Sequence, residues 1–342
     1  MLSIIIPVYN VENYIEDCFQ SLNSQTQQNF EVILVDDGST DSSGKRCDEF
    51  AKTRDNTLVI HTKNRGLLLA RRRGINESSG DYLAFLDSDD CISSDFVVEI
   101  ERVLQNNYPK PDLIAFDLSQ GSDISYSSVI RKPGLSQPGF YSGDSYRYVK
   151  EVVCKGFFNN LANKVIKREL IDFNDDYLRY AGLMHGEDWL QIIPIVDKAT
   201  SVFYLDKPLY FYRSNPNSST YKFRISQLRD LSKVFDRMVD YSKKWGDPYL
   251  QCARVGVCRH LFKMISSLAR SKDYSAEKKL DIMQEISVLI KRFCGNGYKL
   301  SLPKLRIDYL LTVRFASAKK YRLSMAVSKL SAKLYDILCS SK

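Results

Sequence analysis

Through the first 120 residues, short apolar runs alternate with amphipathic stretches, and three of the runs end in polar turn clusters. This is the pattern of a parallel sheet wrapped by helices, in which each run takes cover from the amphipathic stretches beside it. It predicts strands at 2–8, 31–35, 57–60, 82–86 and 113–116. Between them Val11, Tyr14, Cys18 and Leu22 recur at helical spacing, and Leu68, Arg72 and Ile75 do so less cleanly. The strand exits read Asp36-Asp37-Gly38-Ser39, Lys63-Asn64-Arg65-Gly66 and Asp87-Ser88-Asp89-Asp90. In an open parallel sheet that edge is where ligands sit, because helix N-termini and loop amides converge there.

The alternation stops near residue 120. Residues 121–142 are rich in Ser, Gly and Pro and read as a loop or short irregular strands; 143–154 and 187–196 read as helices, and 201–205 and 209–212 as two short strands. After Tyr221 proline becomes scarce, and amphipathic segments run over 221–245, 248–271, 276–294 and 304–339. With 342 residues available, two domains are expected, 1–220 and 221–342. Charge divides at the same place: the first part holds 23 Lys/Arg against 31 Asp/Glu, the second 26 against 10. An acidic front and a basic back point to different tasks. The eight cysteines form no Cys-x-x-Cys pair and sit mostly among apolar neighbours, so they are expected as small core residues rather than zinc or redox ligands. Apolar runs such as Ile4-Ile5-Ile6-Pro7-Val8 fall far short of a bilayer span, and the start Met1-Leu2-Ser3-Ile4 lacks the features of a secretory leader. A cytoplasmic chain is expected.

Three carboxylates leaving an apolar strand, Asp87, Asp89 and Asp90, repel one another unless a cation or basic partner sits among them. A divalent metal relieves this, and oxygen ligands without cysteine or a nearby histidine favour magnesium or manganese over zinc. The plainer reading is an acidic surface turn, with Ser93 or Ser94 capping the helix that follows. Asp36-Asp37-Gly38-Ser39-Thr40-Asp41 is by itself a helix-entry loop. Arg71-Arg72-Arg73 either carries cations toward ligand phosphates or forms a solvated helix face.

Together these segments resemble glycosyltransferase family 2 of the GT-A fold. The resemblance rests on Ile4-Ile5-Ile6-Pro7-Val8-Tyr9-Asn10, Ser21-Leu22-Asn23-Ser24-Gln25-Thr26, Val35-Asp36-Asp37-Gly38-Ser39-Thr40-Asp41, Asn64-Arg65-Gly66-Leu67 with Ala70-Arg71, and Leu86-Asp87-Ser88-Asp89-Asp90. Further on, Asn163-Lys164-Val165-Ile166, Gly186-Glu187-Asp188-Trp189 and Tyr210-Phe211-Tyr212-Arg213 with Ser218 continue it in the family's order, across roughly 2–220. It does not reach the basic helices.

The resemblance implies an α/β fold with a mostly parallel nucleotide-sugar-binding sheet flanked by helices, followed by the helical C-terminal region. It implies that Pro7, Tyr9 and Asp37 hold the nucleoside, with Asp37 accepting from the uracil ring, and that Arg71 contacts base or phosphate. Asp87, Ser88 and Asp89 match the segment that positions ribose and a metal-bound diphosphate. Asp89 is then the direct ligand to Mn2+ or Mg2+, with Asp87 and Asp90 beside it. Asp188 matches the general base, Glu187 shapes the site, and Arg213 and Ser218 match a loop that closes over the diphosphate. Departures are Arg72 where Asn is frequent, Val165-Ile166 for Leu-Tyr, and Ser219 for an aliphatic residue.

Three neighbours keep two readings each. His185 touches acceptor or metal, or is a bystander; Lys164 reaches substrate, or pairs with Glu187 or Asp188; Trp189 stacks on a sugar, or belongs to the core. The chemistry is consistent by itself: a metal and an arginine stabilise a departing diphosphate, and a carboxylate takes the acceptor's proton. The expectation is inverting transfer of a hexose or N-acetylhexosamine from a UDP-sugar to a bacterial surface glycan on a lipid carrier. The alternatives are glycans on an adhesin or other protein, and a non-catalytic nucleotide-sugar-binding module. A nucleotidylyltransferase and a dehydrogenase are disfavoured because no Gly-rich loop follows the first strand. Residues 300–342 carry nine Lys/Arg and two Asp/Glu interleaved with Leu310, Leu323, Val327 and Leu330. Such helices contact the inner face of the membrane or mediate oligomerisation or domain packing; no nucleic-acid module is recognisable.

Overall fold

The computed structural model describes residues 1–120, 129–131, 133–213, 223–295 and 307–340. By internal contacts the chain divides into a unit of Met1–Lys150 with Phe157–Asn215, and a unit of Glu151–Gly156 with Pro216–Lys342.

The first unit is built on β1 (Leu2–Val8), α1 (Ile15–Asn23), β2 (Phe30–Asp36), α2 (Ser43–Lys52), β3 (Thr57–His61), α3 (Leu67–Glu77), β4 (Tyr82–Phe85), β5 (Cys91–Ile92), α4 (Phe96–Asn106) and β6 (Leu113–Gln120). It continues through β7 (Val129–Arg131), β8 (Gly139–Ser142), the first part of α5 (Tyr146–Cys154), β9 (Lys164–Lys167), α6 (Glu187–Lys198) and β10 (Ser201–Tyr212). The sheet runs β3-β2-β1-β4-β9-β6-β10-β5, with β7 on β6 and β8 on β10. β1 pairs in parallel with β2 and β4, and β6 in parallel with β10. β1 and β6 are buried along nearly their whole lengths, as strands covered on both faces must be.

Two features depart from the sequence expectation. β9, read only as a motif, inserts antiparallel between β4 and β6 and separates the two parallel blocks. The two strands expected at 201–205 and 209–212 are one strand, β10, whose register against β6 shifts on either side of Pro208. Proline has no N–H for the ladder, so the strand bulges there and resumes. α2 follows the Asp36–Asp41 segment, as the helix-entry reading of that loop expects.

α3 lies close against the sheet. A Cβ on Gly74 would stand 2.5 Å from Ile5 Cγ2 and 3.2 Å from Val35 Cγ2, so only glycine permits this approach. Leu68, Ala70 and Ile75 are buried on the same helix, and Arg71, one turn before Gly74, is carried inward with them.

The second unit contains α7 (Ser226–Trp245), α8 (Asp247–Arg270), α9 (Ala276–Cys294), α10 (Ile307–Ser317) and α11 (Tyr321–Ser340). The single segment expected over 304–339 breaks at Lys319, whose φ of 61° turns the chain so that α11 folds back on α10. Val234, Met238, Val257, Leu261, Ile265 and Ile286 form part of its core. Among the described residues no helix is long and apolar enough to cross a membrane.

Candidate active site

The acidic loop after β4 distributes its carboxylates among different partners. Asp90 is buried: the Tyr210 hydroxyl donates to its Oδ2 at 2.7 Å and the Arg213 backbone N–H to its Oδ1 at 2.8 Å. Desolvation, followed by the charges of Asp87 and Asp89, pushes its carboxyl up to about 8. These two hydrogen bonds make Asp90 a brace for the loop and use two of the carboxylate's roughly four acceptor positions. Asp87 and Asp89 remain half-exposed. Asp87 donates its backbone N–H to the Tyr210 oxygen at 3.1 Å and accepts from Arg71 at 2.7 Å. Burial and the neighbouring Asp87 raise the Asp89 carboxyl, with Arg213 opposing only in part. Ser88 is buried between them.

Arg71 is the centre of the arrangement. Its side chain is 1% exposed, and its two terminal nitrogens diverge, one to Asp87 Oδ1 at 2.7 Å and the other to Asp188 Oδ1 at 2.5 Å. Burial opposes the charge, but Asp188 and then Asp87 outweigh it and raise the guanidinium's pKa. Asp188 stands in the first turn of α6, where acidic residues complement the helix dipole, after Gly186 in the left-handed conformation at φ 81°. Its Oδ2 accepts the backbone N–H of Leu161 at 3.2 Å. Two of roughly four acceptor positions on the carboxylate are thereby used. Beside it, Glu187 is pushed up to about 7 by desolvation first and the Asp188 charge second, with Arg71 pulling the other way.

At the other end of the same edge, Asp37 accepts the backbone N–H of Arg65 at 2.9 Å and of Gly66 at 2.8 Å. This ties the β2 exit to the entry of α3. Gly38, at φ 74°, makes the approach possible, since a Cβ there would lie 2.8 Å from Asn64 N. Asp36 points elsewhere: despite burial, hydrogen bonds from Ser39 and His61 hold its carboxyl below the usual range. Pro7 is buried at the end of β1, and Tyr9 is 47% exposed. Asp37 and Arg65 border a cavity of about 410 Å³ shared with Leu69, Arg72, Arg73 and Tyr177. In it Arg72 stacks 4.4 Å from the Tyr177 ring and donates to the Asp172 carbonyl, so its presence in place of Asn builds a wall of the cavity.

The remaining predicted residues separate. Trp189 is 1% exposed and belongs to the core, not to a surface on which a sugar could stack. Lys164 is buried over the Phe158 ring at 4.1 Å and donates to the Asn160 carbonyl and Asn163 side chain. His185 is half-buried just before Gly186. Arg213 donates from Nε to the Asp89 carbonyl at 2.8 Å and from its terminal nitrogen to Asp17 Oδ2 at 2.5 Å. Ser218, and Ser219 with it, lies outside the described residues. Sequence reasoning missed Asp17, Leu161 and the structural role of Tyr210. Tyr210 stood in a recognised motif; Asp17, a helix-surface acid, and Leu161, acting through its backbone, carried no signal.

Among the described residues no group of three or more His, Cys, Asp or Glu side chains stands together as a ready metal cage. Asp87 and Asp89 nevertheless suit a hard divalent cation. They are two half-exposed oxygen donors close together on one loop, and burial first, then the Asp87 charge, raises the Asp89 carboxyl. Magnesium-type ions characteristically take one or two carboxylates and leave other positions to phosphate and water.

The profile of glycosyl transferase family 2 matches residues 3–167. The glycosyltransferase YibD of Escherichia coli is 40% identical over 313 residues, covering 89% of this chain and 88% of YibD. The chain belongs to glycosyltransferase family 2. Other family members extend the match: glycosyltransferase EpsJ of Bacillus subtilis is 29% identical over 92% of this chain and 95% of its own. Glycosyltransferase GlyA of Streptococcus pneumoniae is 30% identical over 82% of this chain, which spans only 41% of GlyA's length. Among solved structures, residues 1–349 of S. aureus TarS in complex with UDP-GlcNAc superpose with a TM-score of 0.71 at 17% identity, covering 97% of this chain and 91% of that one. The fold is that of these enzymes, a mostly parallel sheet flanked by helices with a helical C-terminal region, and the protein is a glycosyltransferase.

Proposed function

We propose that the enzyme transfers a hexose or N-acetylhexosamine from a UDP-sugar, with inversion and dependence on Mn2+ or Mg2+, to a hydroxyl of a growing bacterial surface glycan on a lipid carrier at the inner face of the membrane. Residues 1–220 are the catalytic domain in this reading, and 221–342 a non-catalytic helical region. The observation that carries it is the buried Arg71, which joins the donor-side Asp87 to the acceptor-side Asp188. The UDP-GlcNAc complex of TarS, of the same fold, supports the donor class.

In the reaction the acceptor oxygen attacks the anomeric carbon, the bond from that carbon to the diphosphate oxygen breaks, and the acceptor's proton passes to Asp188. A single displacement inverts the anomeric centre and requires no covalent nucleophile. Pro7, Tyr9 and Asp37 flank the nucleoside, and Arg213 and Ser218 face the departing diphosphate. A divalent cation, held by Asp87 and Asp89, supplies charge stabilisation to that leaving group when bound. Arg71 adds a fixed positive charge in a site largely shielded from water, where it acts without reorganising.

The test is a panel of UDP-sugars assayed for UDP release with lipid-linked acceptor, with and without chelator. One donor should support turnover that chelator abolishes and Mn2+ or Mg2+ restores, and nuclear magnetic resonance of the product should show the inverted linkage. Full turnover in chelator, or a retained configuration, overturns the mechanism.

A further inference from the structure

α11 is turned the unexpected way round. Over residues 321–331 its buried residues are Ser324, Ser328 and Ser331, spaced four and three residues apart on one side of the helix, while Leu323 and Leu330 are 45% and 61% exposed with Ala326 exposed between them. Hydrogen bonds explain the inversion. Ser324 Oγ donates to the Thr312 carbonyl at 2.8 Å and Ser331 Oγ donates to the Asp308 carboxylate, so small polar side chains seat α11 closely on α10 and fix its rotation. The leucines are thereby held outward, where water disfavours them.

Basic residues border this stripe. Lys319 and Lys320 lie in the turn that leads into α11, and Arg322 and Lys329 stand beside the leucines on the exposed side; all four are exposed, and none forms an ion pair among the described residues. Between residues 307 and 331 the one acid, Asp308, is engaged by Ser331. An apolar ridge flanked by unneutralised cations matches the boundary of an anionic leaflet, where leucines enter the acyl region and lysines meet headgroup phosphates. A second copy of the same surface would bring like charges together.

We infer that this face of α11, with the turn before it, is an anionic-lipid docking surface that holds the protein at a membrane. The inference supplies a location for the lipid-linked acceptor proposed above, but it rests on α10 and α11 alone.

The test is flotation of the full chain with vesicles of phosphatidylcholine, or of phosphatidylcholine with phosphatidylglycerol, in the absence of any donor sugar. Binding is expected to the second kind only and to weaken with added salt. Lys319→Gln with Lys320→Gln should lower affinity about 30-fold, at roughly 1 kcal/mol per charge. Leu323→Ser with Leu330→Ser should weaken it while leaving UDP-sugar binding and the melting temperature unchanged. Equal flotation of both variants and the parent, or no flotation, overturns the inference. So does a stable oligomer that the leucine variant dissociates without any effect on vesicles. Because no donor is present, failure here leaves the transferase reading standing, and failure of UDP release leaves this one.

Discussion

Arg71 and Asp188 lie 117 positions apart in the chain, yet a terminal nitrogen of one meets a carboxylate oxygen of the other at 2.5 Å. Since the same guanidinium also holds Asp87, the acidic loop after β4 and the first turn of α6 share one buried cation. Breaking a buried pair from one side leaves an uncompensated charge, so the structure makes strong demands on this residue.

Arg71→Met should lower stability by about 3–5 kcal/mol, the range for removing one member of a buried ion pair. Urea unfolding measures it. A loss below 1 kcal/mol would mean that water reaches the carboxylates more freely than their burial indicates.

Asp188→Asn keeps the shape but has one acceptor oxygen for the two donors, Arg71 and the Leu161 N–H, and cannot take a proton. It should reduce kcat by roughly 10²–10⁴-fold, the span of general-base contributions, with little change in UDP-sugar affinity by calorimetry. An undiminished kcat removes Asp188 from the base role.

Glu187 makes stability depend on pH in a defined direction. Its carboxyl titrates at about 7 in the folded chain against 4.5 when unperturbed. Between those values the folded state holds a proton that the unfolded state lacks, so stability falls as pH rises through this window. Glu187→Gln abolishes the titration; its melting temperature should exceed the parent's above pH 7 and converge toward it as the solution is acidified. Parallel melting curves for the two proteins across the window would contradict the assignment.

Gly38→Ala places a methyl 2.8 Å from Asn64 N on a backbone at φ 74°. The strain should cost about 1–3 kcal/mol. Because the displaced segment carries the amides that hold Asp37, donor KM should rise more than kcat falls. Steady-state kinetics separates the two.

Much of this molecule was legible locally. The apolar periods placed β1, β3, α7, α8 and α9, and the turn residues placed the polar edge, because period and turn chemistry depend only on near neighbours along the chain. The motifs named Asp87, Asp89, Asp188 and Arg71. Which partner each would take was decided by the tertiary fold. Asp90 looks like its neighbours in the sequence, but β10 brings Tyr210 and Arg213 to both its oxygens and turns it into a brace. β9 had no strand signature beyond its motif, and pairs where it does because β4 and β6 leave a slot between them. The serines of α11 face inward because α10 offers them acceptors, against the apolar order that the sequence displays. Hydrophobic period is a property of a segment; hydrogen-bond and ion-pair partnership is a property of distances between segments, which exist only once the chain has folded.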